Sequence, residues 1–464
     1  MKKIIKYLAF FAIGFLLLPG CKGVLDVNED PTKVSDPPLD VLLPEVELRT
    51  SSVHYSFGYT GTQIGNQMDN YHGYYTNISV GSIWVNEYLR IINNLNVLIE
   101  KAEGEQSYYY SGIGKILKAH NLGVLTDVYE DVPYSEAFKG SLNTTPKYDK
   151  QETIYNEVFA LIDDGIRDLE KGESFREPGS DDMFYGGDVA KWLKYAHSLK
   201  AKYMIHLSNK STVDWNKIIA EAQLGISNNA DNLTLAYDEA NPNPWYVVAI
   251  GYETANLSLA PSKFLVDQMN GADGGPVDPR MDIMFVLKDD TTSTYEGLVS
   301  WDPNAASNTV DLRPASWYGK KTTPMLLFTA AENYFILAEA LTHVGSASEV
   351  KDSLNIGIRR NMSMLGVNSA DVDAYVNAID GGTIDLSAIM KQKFIALFLN
   401  GEVWTDMRRH HFDTNIFKGL VIPDASNGRL GAPGQRSRYP DSETTRNGDN
   451  VPVVDLIEPM WRDK

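Results

Sequence analysis

Three segments of the chain interleave aromatic rings with amide, carboxylate and guanidinium groups. The first is Asp69-Asn70-Tyr71-His72-Gly73-Tyr74-Tyr75. The second runs from Asn241 to Tyr246 and places Asn243 beside Trp245 and Tyr246. The third holds Trp301, Asp302, Arg313, Trp317 and Tyr318. A flat ring offers an apolar platform for the C–H face of a sugar or for a peptide side chain, and neighbouring polar groups can satisfy hydroxyls. Noncovalent capture of a small ligand is the chemistry these residue types support. Taken singly, each ring reads as packing, because Trp and Tyr are mostly buried on average. As a set, Asn70, Tyr71, Tyr74, Tyr75, Asn243, Trp245, Tyr246, Trp301, Arg313 and Trp317 are the candidate ligand contacts.

Covalent or hydrolytic chemistry has thinner support. Glu402 and Asp406 lie one helical turn apart and could face one way, as the acid pair of a glycoside hydrolase must. They also frame Trp404 and precede Arg408-Arg409, which reads as an ion-paired structural corner. Asp127, Glu130 and Asp131 end an apolar helix and precede Pro133, a pattern that fits capping and turn formation better than a calcium site. Glu332 and Glu339 sit on an alanine-rich helix, where burial would demand partners such as Arg359 or Arg408. The adjacent His410-His411 point apart on any regular element and make a poor chelate. Neither an HExxH helix nor a GxSxG elbow is present, and Gly58, Gly61 and Gly65 are not spaced as a phosphate loop. No catalytic group, metal or cofactor is expected.

The chain that must hold these residues is acidic, with 61 Asp and Glu against 42 Lys and Arg over 464 residues. Nucleic acid, which demands a basic face, is disfavoured. The first twenty residues carry Lys2, Lys3 and Lys6, then an uncharged apolar run from Leu8 to Leu18. That run is shorter than the ~20 residues a membrane span needs and reads as the core of a secretion signal. Leu18-Pro19-Gly20-Cys21 follows and resembles the bacterial lipobox, in which the chain is cut before the cysteine and the thiol is acylated. Cys21 is the only cysteine, so no internal disulfide framework can exist. Residues 21–40 then read as a lipidated tether and 41–464 as one domain.

Within that domain the apolar spacing predicts helices over Trp84–Glu103, Tyr108–Val128, Gln151–Leu169, Val189–Leu207 and Asp214–Gly225, with Asp188 as an N-cap. Trp84 and Trp192 lie on the stripes and read as core. Residues 51–82 show poor periodicity. Residues 227–322 are rich in Pro, Gly, Asn and Asp and read as a long loop-rich excursion, of the kind that is usually functional. Helices resume with Pro324 at a first helical position, then Glu349–Met364 and Leu386–Asn400, the last ending at Gly401. The fold class is mainly α, with helical hairpins of no strict repeat length.

Several segments, in order along the chain, resemble the SusD/RagB family of outer-membrane nutrient-binding lipoproteins. They are Asn28-Glu29-Asp30-Pro31, Trp84-Val85-Asn86-Glu87-Tyr88, the stretch from Leu125 to Ala137 (LTDVYEDVPYSEA), Asp278-Pro279-Arg280, the stretch from Ala331 to Ala340, Gly401 to Arg409, and Arg438 to Glu443. The family usually has glycine where Glu130 stands. The resemblance implies a tetratricopeptide-like helical scaffold with a large loop-rich region facing the ligand. It implies non-catalytic capture of oligosaccharide, or in some members peptide, at the cell surface. It also implies a SusC-like TonB-dependent β-barrel transporter as partner, with the protein held at the outer membrane by its lipid.

Overall fold

The computed structural model describes residues 36–69, 78–251, 259–287, 295–299, 309–422 and 430–464. Residues 39–464 form one compact, mainly helical unit. The first helix, α1 (Leu39–Ile64), buries Leu39, Leu42, Leu43, Val46, Val53 and Phe57. A short helix α2 (Gly81–Asn86) passes through a π-helical turn at Glu87–Ile91 into α3 (Ile92–Glu105). Successive helices then pack one on the next: α4 (Tyr108–Tyr129), α5 (Gln151–Leu169), α6 (Val189–His206) and α7 (Trp215–Leu224). Asp188 and Asp214 cap α6 and α7 by accepting from the backbone N–H of Lys191 and Lys217, both at 3.1 Å. Trp84 and Trp192 are core residues, 6% and 0% exposed.

The stack continues with α11 (Ala330–Val344), which packs directly against α7 although about a hundred residues separate them in sequence. Further on come α12 (Ala347–Leu365), opened by a Ser346–Glu349 capping box, then α13 (Ser369–Asp380), α14 (Leu386–Ala396), α15 (Glu402–Arg409) and α16 (Asp441–Arg446). The loop-rich excursion is therefore an insertion between two neighbours of the stack. Its neck is closed by two strands, β2 (Leu233–Leu235) and β6 (Met325–Phe328), which pair antiparallel. Inside the insertion lie α8 (Pro244–Gly251), α9 (Lys263–Asp267), α10 (Met281–Met284) and three two-residue strands.

Three expectations fail here, each for a physical reason. Pro324 does not open a helix. Residues 325–328 form β6, and the helix begins at Ala330 with the Thr329 hydroxyl accepting from the Glu332 N–H at 3.2 Å. A short apolar run such as Met325 to Phe328 has no period that distinguishes strand from helix. The helix expected to reach Asn400 stops at Ala396. The Gln67 side chain donates to the Phe394 carbonyl and accepts from the Leu399 N–H at 3.1 Å, while Leu399 adopts a φ of 66°. Gly401 then starts the next helix with an ordinary φ of −63° and is no C-terminal cap. The stretch 51–64, to which the spacing assigned no element, is also helical. Its small residues meet backbone: a Cβ on Gly58 would lie 2.4 Å from the Leu399 oxygen, and one on Gly61 would lie 2.7 Å from the Gly401 Cα. A helix buried on several sides shows no clean apolar stripe.

Candidate ligand-binding face

The acidic pair that suggested hydrolysis is buried in a charged corner. Glu402 and Asp406 are 2% and 3% exposed. Glu402 meets Lys202 Nζ at 2.8 Å and hydrogen-bonds His206 Nε2, both on α6. His206 reaches Asp127 at 3.0 Å, and Arg462 meets the same carboxylate at 2.9 Å. Asp406 holds Lys393 and Arg409, each at 2.8 Å, and Arg409 forks onto Glu339. Glu339 thus takes Arg409, where Arg359 or Arg408 was expected. Arg408 donates to the backbone oxygens of Asp127 and Gln435, and Arg359 pairs with Asp373. Glu332 has Lys202 Nζ at 3.4 Å.

Burial alone would raise the carboxyl pKa of Glu402. His206 and Lys202 outweigh it and hold the group well below the ordinary range. A glycosidase acid needs the opposite shift and access to substrate. This corner is an ion-paired keystone joining α4, α6, α11, α15 and the C-terminus. Among the described residues, no group of three or more His, Cys, Asp or Glu side chains could hold a metal ion.

The described rings of the insertion lie elsewhere, with two further tyrosines along α1. The Asn243 side chain caps α8 by accepting from the Trp245 N–H at 2.8 Å, and it donates to the Thr323 carbonyl at 2.7 Å. Trp245 is only 3% exposed, and its indole lies against Gly58. Tyr55 meets it edge-on with centroids 4.9 Å apart, and Tyr59 stacks at 6.3 Å with 23° between the planes. Both tyrosines are half-buried. Tyr246 is half-buried too, with Lys321 Nζ 5.3 Å from its ring centre and Glu239 3.1 Å from that ammonium. Trp317 is half-buried, donates its backbone N–H to the Ile283 oxygen and packs edge-on against Tyr318 at 4.8 Å. Asn243, Trp245 and Tyr318 line one cavity of about 30 Å³. That is the space of about one water molecule, far short of a ligand site at ~300 Å³ or more. Arg313 is tied back to Asp311 at 3.0 Å.

Four short strands define a second place. β1 (Met68–Asp69) pairs antiparallel with β3 (Ala260–Pro261), placing Asp69 opposite Ala260. β4 (Val286–Leu287) pairs antiparallel with β5 (Val310–Asp311), placing Leu287 opposite Val310. Parallel bridges link Ser262 to Leu298 and Glu296 to Thr309. Gly297 sits between these bridges, where a Cβ would fall 2.2 Å from the Ser262 oxygen. These registers put Asp69, Ala260, Leu287, Glu296 and Thr309 at one end of the strand set. At that end β1 and β4 finish, and β3 and β5 begin. Asn70, Tyr71, Tyr74, Tyr75 and Trp301 lie outside the described residues, as does Cys21. Sequence reasoning missed Tyr55 and Tyr59. Their spacing of four on one helix was the available signal, hidden in a stretch without apolar periodicity.

A family model described as "Starch-binding associating with outer membrane", the SusD-like family, matches residues 44–440. The chain belongs to the SusD-like family. Solved structures agree on the fold. A SusD homologue from Bacteroides uniformis superposes with a TM-score of 0.75 at 23% identity, covering 92% of this chain and 99% of that one. A chitin-binding protein superposes with a TM-score of 0.77 at 23% identity, covering 92% and 100%. A chitin-binding SusD homologue from Flavobacterium johnsoniae gives 0.71 at 19% identity, covering 92% and 96%. No curated protein sequence matches the chain. The SusD-like scaffold is thus the helical stack, with the insertion between α7 and α11 carrying two of the three ring-rich segments. No helix among the described residues is long and apolar enough to cross a membrane.

Proposed function

We propose that this SusD-like protein is a non-catalytic glycan-capturing lipoprotein, acylated at Cys21 and held at the outer-membrane surface. It passes oligosaccharide to a SusC-like TonB-dependent β-barrel. The observation that carries the reading is the pair of half-buried rings, Tyr55 and Tyr59 on α1, set against the buried Trp245 of the insertion. Asn70, Tyr71, Tyr74, Tyr75 and Trp301 are candidate contacts by residue type alone. Trp245 and Asn243 act as supports, and Tyr55, Tyr59, Tyr246 and Trp317 are the half-buried rings offered to ligand. Arg313 is a secondary hydrogen-bonding candidate. The family's starch-binding description and two chitin-binding structural relatives favour neutral glycans. The ion-paired burial of Glu402 and Asp406 supports capture without turnover.

Calorimetry of the purified chain against malto-, chito- and xylo-oligosaccharides and a peptide panel tests the ligand class. Saturable binding of a neutral oligosaccharide is expected. Binding confined to peptides would move the cargo to that class, and binding to neither would end the reading. Purification from outer membranes should bring a β-barrel with the protein; its absence would remove the transporter from the proposal.

A further inference from the structure

A groove of about 790 Å³ lies apart from the face described above. It opens between α9, the turn 271–276, the end of α13 with the start of α14, and Lys418-Gly419. Ser262, which precedes α9, pairs at the end of the strand set opposite Asp69 and Ala260. The volume falls in the range of small-molecule sites, about 300–1,000 Å³. Phe264 lines one wall, half-buried and packed against Phe394 with centroids 5.2 Å apart.

The polar chemistry of the groove is balanced. Lys391 and Asp273 form an ion pair within it, their side chains 15% and 24% exposed. Asp267 is held by Lys263, and Asp385 accepts from the Ala388 N–H at 2.9 Å as the cap of α14. A charged ligand would have to compete with these partners. A neutral hydroxyl does not, because it donates to the carboxylate and accepts from the ammonium at once. Two neighbouring hydroxyls on a pyranose ring present that arrangement, and the C–H face of the ring suits Phe264. The turn 271–276 adds backbone at the rim, since Gly274 has open space where a Cβ would stand.

We propose that this groove is a second carbohydrate site, taking a short neutral oligosaccharide with Asp273 and Lys391 as its hydrogen-bonding pair and Phe264 as its platform. The ligand class rests on the glycan reading above; the location does not. The test is hydrogen–deuterium exchange on the full chain, with and without saturating malto- and chito-oligosaccharides, paired with an Asp273→Asn/Lys391→Met variant. Backbone protection over residues 264–276 and 378–391 is expected in the wild type. In the variant this protection should require on the order of tenfold more oligosaccharide, the effect of removing hydrogen bonds to charged groups. Protection confined to other segments, with variant and wild type alike, overturns the second site and leaves the proposed function standing. Absence of binding and of protection anywhere overturns both. Should the variant fail to fold, the wild-type protection pattern alone decides.

Discussion

The charged corner around α15 and the ring-rich insertion are built on opposite principles. In the corner, Asp127, Lys202, His206, Glu339, Glu402, Asp406, Arg409 and Arg462 are all buried and all have ionic partners. In the insertion Tyr246 and Trp317 are half-buried, and the internal strands described are two residues long. The segments that resemble the family feed the first region. Leu125 to Ala137 supplies Asp127, Ala331 to Ala340 supplies Glu332 and Glu339, and Gly401 to Arg409 supplies α15 itself. Even Asp278-Pro279-Arg280 is a scaffold device, since Arg280 is fully buried, forks onto Asp278 and reaches Asn361 and Gln392. The motifs that identify the family mark how the scaffold is locked together. On the proposed function, cargo is selected where the motifs are absent.

The sharpest way to break that division is Arg409→Met. Removing the shared guanidinium strips Glu339 of its forked partner, leaves Asp406 with Lys393 alone, and costs about 3–5 kcal/mol. Denaturant unfolding should show that loss, while the affinity of the folded fraction for oligosaccharide stays unchanged. A selective loss of affinity at unchanged stability would merge the two regions. Trp245→Ala comes next. A large buried ring removed from a packed site costs about 3 kcal/mol or more, and here the change should also weaken oligosaccharide binding, because Tyr55 and Tyr59 lose the surface that orients them. Stability loss with intact affinity would confine Trp245 to the core.

The same difference decides how much of each region could be read from sequence. Helices such as Gln151–Leu169 bury one stripe and expose the rest, so their spacing announces them. The stretch 51–64 packs against the Leu399–Gly401 backbone and carries glycines instead of a stripe, so its helix was hidden. The Glu402–Asp406 corner was legible as ion-paired because charges of both signs cluster within eight residues. The partner of Glu339 was not, because Arg409 arrives from seventy residues away and only the tertiary fold selects it over Arg408. For the ligand face, composition pointed to the insertion. It could not tell Asn243, spent as a helix cap, from Tyr246, whose ring stays partly open to solvent.

Protonation offers a milder probe of the corner. Burial raises the Glu332 carboxyl to about 7, with Lys202 opposing and Glu402 reinforcing the shift. A group neutral in the folded state and ionised in the unfolded one makes stability fall as pH rises. Its contribution is fully present below the ordinary value of 4.5 and lost on the way to about 7. The limiting slope is about 1.4 kcal/mol per pH unit. The depressed Glu402 and Glu339 act the other way: their contribution is present above 4.5 and lost as pH falls through their lowered values. Glu332→Gln should therefore flatten the stability profile between 4.5 and 7 without changing the acid limb. An unaltered profile would show that Glu332 is ionised in the folded protein.

The smallest change tests the insertion alone. Tyr246→Ala removes a half-buried ring that lies under the Lys321 ammonium, a contact worth about 0.5–1 kcal/mol at such a site. Stability should move by about that much. If the ring carries ligand, a lost stacking contact of about 0.5–1.5 kcal/mol lowers affinity by roughly two- to tenfold. The pairing of a small stability change with a measurable affinity change is what distinguishes a ligand platform from a packing ring. Trp245→Ala cannot make that distinction by itself, because it disturbs both properties together. Unchanged affinity in Tyr246→Ala, beside weakened binding in Trp245→Ala, would move the contact surface off α8 to Tyr55 and Tyr59 on α1.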